Sequence, residues 1–154
     1  MMTQRLDYFA AAPDLFQPML TLEATLKDSG LEHSLIELVK LRASQINGCA
    51  YCIHMHTHDM RSKGESEDRM HLLNAWRESS LYSAREQAAL AWTEALTRIE
   101  TTAAPDADYD LVAQQFSPRE QAALTLVVST INAWNRIAIG FRTPHPAGQE
   151  ATAA

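Results

Sequence analysis

Cys49-Ala-Tyr-Cys52-Ile-His54-Met-His56-Thr-His58-Asp-Met60 holds both cysteines of the chain and three of its six histidines. It follows Asn47-Gly48, a pair able to take left-handed dihedrals and so to end one helix before another begins. Read as a helix from about Cys49 to near Gly64, the stretch sorts its own residues. At about 100° per residue, with Cys49 set at zero, Cys52 falls at about 300°, His56 at about 340° and Met60 at about 20°. His54 and His58 fall at about 140° and 180°. One face therefore carries Cys49, Cys52 and His56, while His54 and His58 turn to solvent with Arg61.

Outward from this stretch the chain reads as helices with short punctuation. Pro13 suits a first helical position, and a helix over 14–29 stops at Gly30, with Leu15, Phe16, Met19, Leu22 and Leu26 as its apolar face. A second helix spans about His33 to Ile46. Ser66 caps a fourth, about Glu67 to Arg77. Ser83-Ala-Arg-Glu86 and Ser117-Pro-Arg-Glu120 are capping boxes, in which the Ser oxygen accepts from the third helical N–H and the Glu reaches back. The first opens a helix to about Ile99, and the second opens a long apolar helix to about Phe141. Between them lie a loop over 101–105 and a short helix from Asp106 to Phe116. The two octets starting at Ser83 and Ser117 are near-identical at an offset of 34 residues. A solenoid needs about three repeats, so they read as convergent helix starts. The β-branched run Thr125-Leu-Val-Val-Ser-Thr-Ile131 lies inside a stretch whose apolar residues recur at helical spacing, so no strand is expected. The fold class is all-α: a compact bundle of six to seven helices in a single domain over 1–154, with a frayed tail.

Composition narrows the function. The 154 residues carry a net charge of −6, which excludes a basic nucleic-acid footprint and disfavours anionic membrane surfaces. The N-terminus lacks an apolar core of signal-peptide length. The longest uncharged stretch, Gln121 to Asn135, reads as too short and too polar to span a bilayer. Two cysteines make no disulfide scaffold. The expected compartment is a reducing cytoplasm, where a C-x-x-C is available as thiols.

A helix N-terminus favours a thiolate. Lowering a thiol pKa from about 8.5 to about 6.5 raises the thiolate fraction at pH 7 about 25-fold. A Brønsted slope near 0.5 takes back about tenfold of that as weaker nucleophilicity. A useful redox thiol therefore needs proton transfer as well, typically worth about 10²–10⁴, and His56 is placed to give it. Zinc is the competing reading, since Cys49, Cys52 and His56 are acceptable ligands. A fourth would have to come from His71 or His145, without any spacing signature. Haem attachment needs C-x-x-C-H, and Ile53 occupies that place. Glu37 shares a side of its helix with Lys40 and Ser44, opposite Leu35, Val39 and Ile46. Spacing alone reads it as a solvated carboxylate paired with Lys40.

Glu37, eleven residues, Cys49-x-x-Cys52, three residues and His56 together resemble the signature of the alkylhydroperoxidase D-like branch of the carboxymuconolactone decarboxylase family. The flanking Leu35-Ile-Glu-Leu-Val-Lys-Leu-Arg42, Ser44-Gln-Ile-Asn-Gly-Cys49 and Ile131-Asn-Ala-Trp-Asn-Arg136 are similar too, so the resemblance covers about residues 5–141 and leaves 142–154 as a flexible tail. It implies an all-α domain assembling as trimers or hexamers. It implies a cycle in which Cys52 attacks an organic hydroperoxide and Cys49 resolves the sulfenic acid as a disulfide. His56 would relay the proton, with Glu37 orienting or recharging it, and no metal or cofactor would be needed. A dithiol, lipoyl or thioredoxin-like donor would reopen the disulfide. Some members carry a His between the cysteines, where this chain has Tyr51. Decarboxylase members lack the C-x-x-C. The competing readings are a disulfide reductase adaptor feeding a separate peroxidase, and a metal-binding or structural oligomer.

Overall fold

The computed structural model describes residues 3–146. Among them no strand is present, and six helices of ten or more residues form the frame: α2 (Pro13–Lys27), α3 (His33–Asn47), α4 (Ala50–Ser62), α6 (Ala84–Thr97), α8 (Asp106–Gln115) and α9 (Pro118–Phe141). Shorter pieces join them: α1 (Tyr8–Ala11), α5 (Glu67–His71), a 3₁₀ turn (Leu73–Glu78) and α7 (Ile99–Thr102). Residues 147–154 of the expected tail lie outside the described residues.

Boundaries fall where the caps place them. Ser83 and Ser117 each accept from the N–H three residues on, and Glu86 and Glu120 return the bond to complete both capping boxes. Gly48 closes α3 in the left-handed region at φ 68°, where a Cβ would add strain. Three elements depart from the sequence reading, the first being α7, a helical turn over Ile99–Thr102 that takes up the start of the loop expected over 101–105. The Tyr8–Ala11 turn, capped by the Asp7 side chain, is too short for periodicity to reveal. The helix expected over 67–77 breaks after His71 into the 3₁₀ turn, with Ala75 out of helical dihedrals at φ −115°. Three residues per turn keep Met70, Leu73 and Trp76 in line, and all three are buried.

α3 runs through the middle of the molecule and packs against α4, α6 and α9. Every residue from Leu35 to Ser44 is buried, so this stretch of the helix has no solvated face and the surface reading of Glu37 fails. Leu35, Ile36 and Val39 join Trp92, Val112, Phe116, Leu124 and Val127 in one core cluster. Leu38 and Leu41 join Met60, Leu73, Trp76 and Leu90 in a second, on the other side. Burial of charge on α3 is matched by partners. The Arg42 Nε–H donates to Glu94 Oε1 at 2.7 Å, and that same oxygen accepts from Trp76 Nε1–H at 3.0 Å. Lys40 pairs with Glu23 of α2 rather than with Glu37.

α9 is longer than the uncharged stretch suggested, and by length and composition alone it could cross a membrane. In this fold it is a core helix, laying Leu124, Val127, Val128, Ile131, Asn135 and Ala138 inward. The N-terminal arm is tied to its end, since Arg5 N–H donates to the Phe141 carbonyl at 2.9 Å.

Candidate active site

Cys49 is the N-cap of α4, not its first helical residue. The Cys52 N–H points at Cys49 Sγ at 3.4 Å, and the Cys49 N–H donates to the Ser44 carbonyl at 3.0 Å. The two cysteines are joined as a disulfide, with Cα atoms 5.3 Å apart. Both are buried, beside Ala138 of α9 and Tyr51. The sulfurs thus sit where the unpaired amides and dipole of α4 stabilise negative charge on a released thiolate.

The helical wheel is correct about the histidines. His56 is buried at 3% exposure, while His54 and His58 are exposed. His56 Nδ1 lies 2.8 Å from Glu37 Oε2, which brings together residues nineteen apart in sequence, on α4 and α3. With Glu37 ionised, Nδ1 carries the hydrogen and Nε2 presents its lone pair. Nε2 is buried and has no partner among the described residues. Burial pushes the Glu37 carboxyl up, but the hydrogen bond from His56 and the charges of His56, Lys40 and His33 outweigh it. The net result lies below the usual carboxylate range.

Cys52, His56 and Glu37 open onto one cavity of about 260 Å³. Its apolar walls come from Phe9, Leu20, Met55, Ile131 and Trp134, and Tyr8 and Tyr51 also line it. Lys40 and Glu23 close one side, and the Trp134 indole N–H donates to Glu23 Oε1 at 3.1 Å. The aromatic wall escaped the sequence reading because α1, which carries Tyr8 and Phe9, is a single turn.

A polar network supports the turn before Cys49. The Asn47 amide donates to Oδ1 of Asn132 at 2.9 Å and of Asn135 at 2.8 Å. Asn135 in turn donates to Ser44 Oγ at 3.0 Å, and Ser44 donates to the Lys40 carbonyl at 2.8 Å. Asn135 is fully buried. The available signal was an amide on the inward face of an otherwise apolar helix, since a buried amide must be hydrogen-bonded.

The zinc alternative finds no support in the placement of its fourth ligand. His71 stands 3.5 Å from Glu67, and His145 lies against His54. Among the described residues no three His, Cys, Asp or Glu side chains gather as a metal-holding group.

Residues 13–95, which include Glu37, Cys49, Cys52 and His56, match the sequence profile of the Carboxymuconolactone decarboxylase family. The chain belongs to that family. Within the carboxymuconolactone decarboxylase family it is similar to the uncharacterized protein YdfG of Bacillus subtilis, 41% identical over 140 residues, covering 91% of this chain and 95% of YdfG. It also resembles the crystal structure of a protein of unknown function from Agrobacterium tumefaciens, proposed to be the antioxidant defence protein AhpD. The TM-score is 0.92 at 44% identity, over 95% of this chain and all of that one. The debrominase Bmp8 has the same fold, with a TM-score of 0.79 at 19% identity, over 90% of this chain and 74% of its own. The all-α, AhpD-like fold implied by the sequence resemblance is therefore the fold observed.

Proposed function

We propose that the chain is a thiol-dependent peroxidase that reduces organic hydroperoxides through Cys52 and Cys49. The observation that carries this reading is the buried His56, fixed by Glu37 at Nδ1, with no partner for Nε2 among the described residues, four residues from Cys52 on the wall of a shared cavity. In the reduced protein Nε2 takes the Cys52 thiol proton. The thiolate attacks the terminal oxygen of the hydroperoxide, the O–O bond breaks, and the alkoxide leaves as an alcohol with the proton returned from Nε2. Cys52 is now a sulfenic acid. The Cys49 sulfur attacks it, the S–O bond breaks, and water leaves with the Cys49 proton. An outside dithiol supplies two electrons to reopen the disulfide and is itself oxidised to a disulfide.

The apolar walls favour a carbon-rich hydroperoxide over hydrogen peroxide, because an apolar group entering the cavity leaves water. Burial of both sulfurs favours a donor with a slender dithiol arm, lipoyl-like, or a thioredoxin-like dithiol working at the cavity mouth. The cycle needs a reducing compartment, and the cytoplasm is our assignment. Assembly as a trimer or hexamer belongs to the same proposal.

The test is thiol counting on reduced protein, before and after one equivalent of cumene hydroperoxide. Two free thiols should fall to none, with Cys52→Ser unreactive and Cys49→Ser halting at a trappable sulfenic acid. Survival of both thiols after peroxide would overturn the peroxidase reading in favour of a reductase adaptor.

A further inference from the structure

Lys40, only 4% exposed, lines the cavity that holds Cys52. It pairs with Glu23, whose other oxygen accepts from the Trp134 indole N–H. Replacing a buried ion pair by apolar residues of like volume is often neutral or stabilising, so stability alone is a poor reason for this one. Its place in the fold gives it another use. α3 and α4 run antiparallel and are tied at two points, Glu37 to His56 and the Ser44 carbonyl to the Cys49 N–H. Lys40 lies three residues from the first tie on α3, and Cys52 lies four from it on α4. At about 1.5 Å per residue these are advances of about 4.5 and 6 Å, so Lys40 and Cys52 stand nearly level. Both line the same cavity.

We propose that the Lys40 ammonium is the counter-charge of the Cys52 thiolate, shared in the reduced protein between that sulfur and Glu23. The proposal rests on the thiol-redox reading of the cysteines. A positive charge beside a thiol favours its ionised form, and a carboxylate beside that charge weakens the effect. Lys40 stands on α3, which packs directly on α4, while Glu23 stands on α2, which packs on α1 and α9. The ammonium is therefore the end of the pair nearer the helix of the cysteines. Lys40 is a positioning residue for charge: it holds the sulfur ready as thiolate and takes no proton itself.

The other groups around the cavity leave this task to Lys40. His56 is cationic only while it holds the thiol proton, and Glu37 lies against that ring. The Lys40 charge opposes a proton on His56, and Glu37 offsets that opposition. Lys27 and Asp59 bring opposite charges to the lining. Lys27 is exposed, and Asp59 lies seven residues past Cys52, about 10.5 Å along α4. Tyr8 and Tyr51 complete the titratable lining, to which α9 adds none. Cys49, at the N-cap, competes with Cys52 for the dipole of α4 but stands a turn away from the level of Lys40.

The experiment measures the pH dependence of iodoacetamide alkylation of Cys52 in reduced Cys49→Ser protein, followed by intact mass. Serine suits the N-cap and leaves a single cysteine to report. Adding Glu23→Gln removes the competing carboxylate, so the alkylation midpoint should fall by about one pH unit. Adding Lys40→Met instead should raise it by about one pH unit. With both changes no charge of the pair remains, and the midpoint should lie above that of Glu23→Gln alone. This double change carries the test if Lys40→Met by itself fails to fold. An unmoved midpoint in either single change would overturn the proposal. Movement of both in the same direction would also overturn it, because loss of the pair's packing is common to the two. So would equal midpoints in Glu23→Gln and the double change. No hydroperoxide enters this assay, so its outcome is separate from that of the peroxide titration.

Discussion

Glu37 Oε2 and His56 Nδ1 meet at 2.8 Å, although one residue belongs to the central helix and the other to the helix that carries the cysteines. The contact holds the ring by Nδ1, and Nε2, which has no partner among the described residues, serves the cavity chemistry in the proposed cycle. Removing the ring and removing the charge behind it should therefore differ. His56→Ala is expected to lower the rate of peroxide consumption by about 10²–10⁴ and flatten its pH–rate profile. Glu37→Gln should slow the reaction without abolishing it. Unaltered kinetics in Glu37→Gln would confine that carboxylate to a packing role.

Stability against acid should report the same pair. Glu37 and Glu94 are both held below the usual carboxylate range. For Glu94, burial raises the value, but hydrogen bonds from Arg77, Trp76 and Arg42 outweigh it. A carboxylate with a depressed folded-state pKa contributes stability that is fully present above its unfolded value, about 4.3. That contribution is lost as pH falls through the lower folded value. Denaturant midpoints should therefore be level near neutrality and drop below about pH 4.3. The drop should be smaller in Glu37→Gln and in Glu94→Gln than in the unaltered protein.

Glu94 also holds two helices and the 3₁₀ turn together. One oxygen accepts from Arg42 and Trp76, and the other pairs with Arg77. Glu94→Leu leaves the buried Arg42 guanidinium without its carboxylate, a change worth about 3–5 kcal/mol. Thermal unfolding should show it as a fall of about 10 °C for a domain of this size. Glu67→Leu, which removes an exposed pair with Arg61, should barely move the transition. Equal shifts in the two variants would remove the argument from burial.

Asn135 links the last helix to the turn before Cys49 through Ser44 and Asn47. Asn135→Leu takes one of two acceptors from the Asn47 amide and the donor from the buried Ser44 hydroxyl, at about 0.5–1.5 kcal/mol for each lost hydrogen bond. Beyond lower stability, closure of the disulfide from the Cys52 sulfenic acid should slow, because the backbone that holds Cys49 loses its brace. A stopped-flow trace with unaltered closure in a destabilised variant would assign Asn135 to stability alone.

Local chemistry made much of this legible. Ser83 and Ser117 announce their helices because a capping box satisfies amides within four residues. Gly48 announces the break between the two helices of the site because left-handed dihedrals favour glycine. The wheel separated His56 from His54 and His58, since one helix determines which of them share a face with Cys52. Glu37 needed more. Its burial comes from three other helices packing round α3, which no local period records, and only the family resemblance pointed to it. The 3₁₀ turn at Leu73 and the single turn at Tyr8 are held by the packing of Trp76 and of the Tyr8–Phe16–Phe141 aromatic group, contacts between residues distant in sequence.

The cavity is built from two kinds of wall. Glu37, Cys52 and His56 stand on helices locked into the core, where any substitution also loosens the fold. Phe9 and Leu20 stand on the peripheral α1 and α2. Phe9 still packs on Phe16 and Trp134, whereas Leu20 is 42% exposed, so Leu20 is the wall residue that can change at least cost to stability. The proposed reaction core is thereby separable from the part of the front wall that meets solvent.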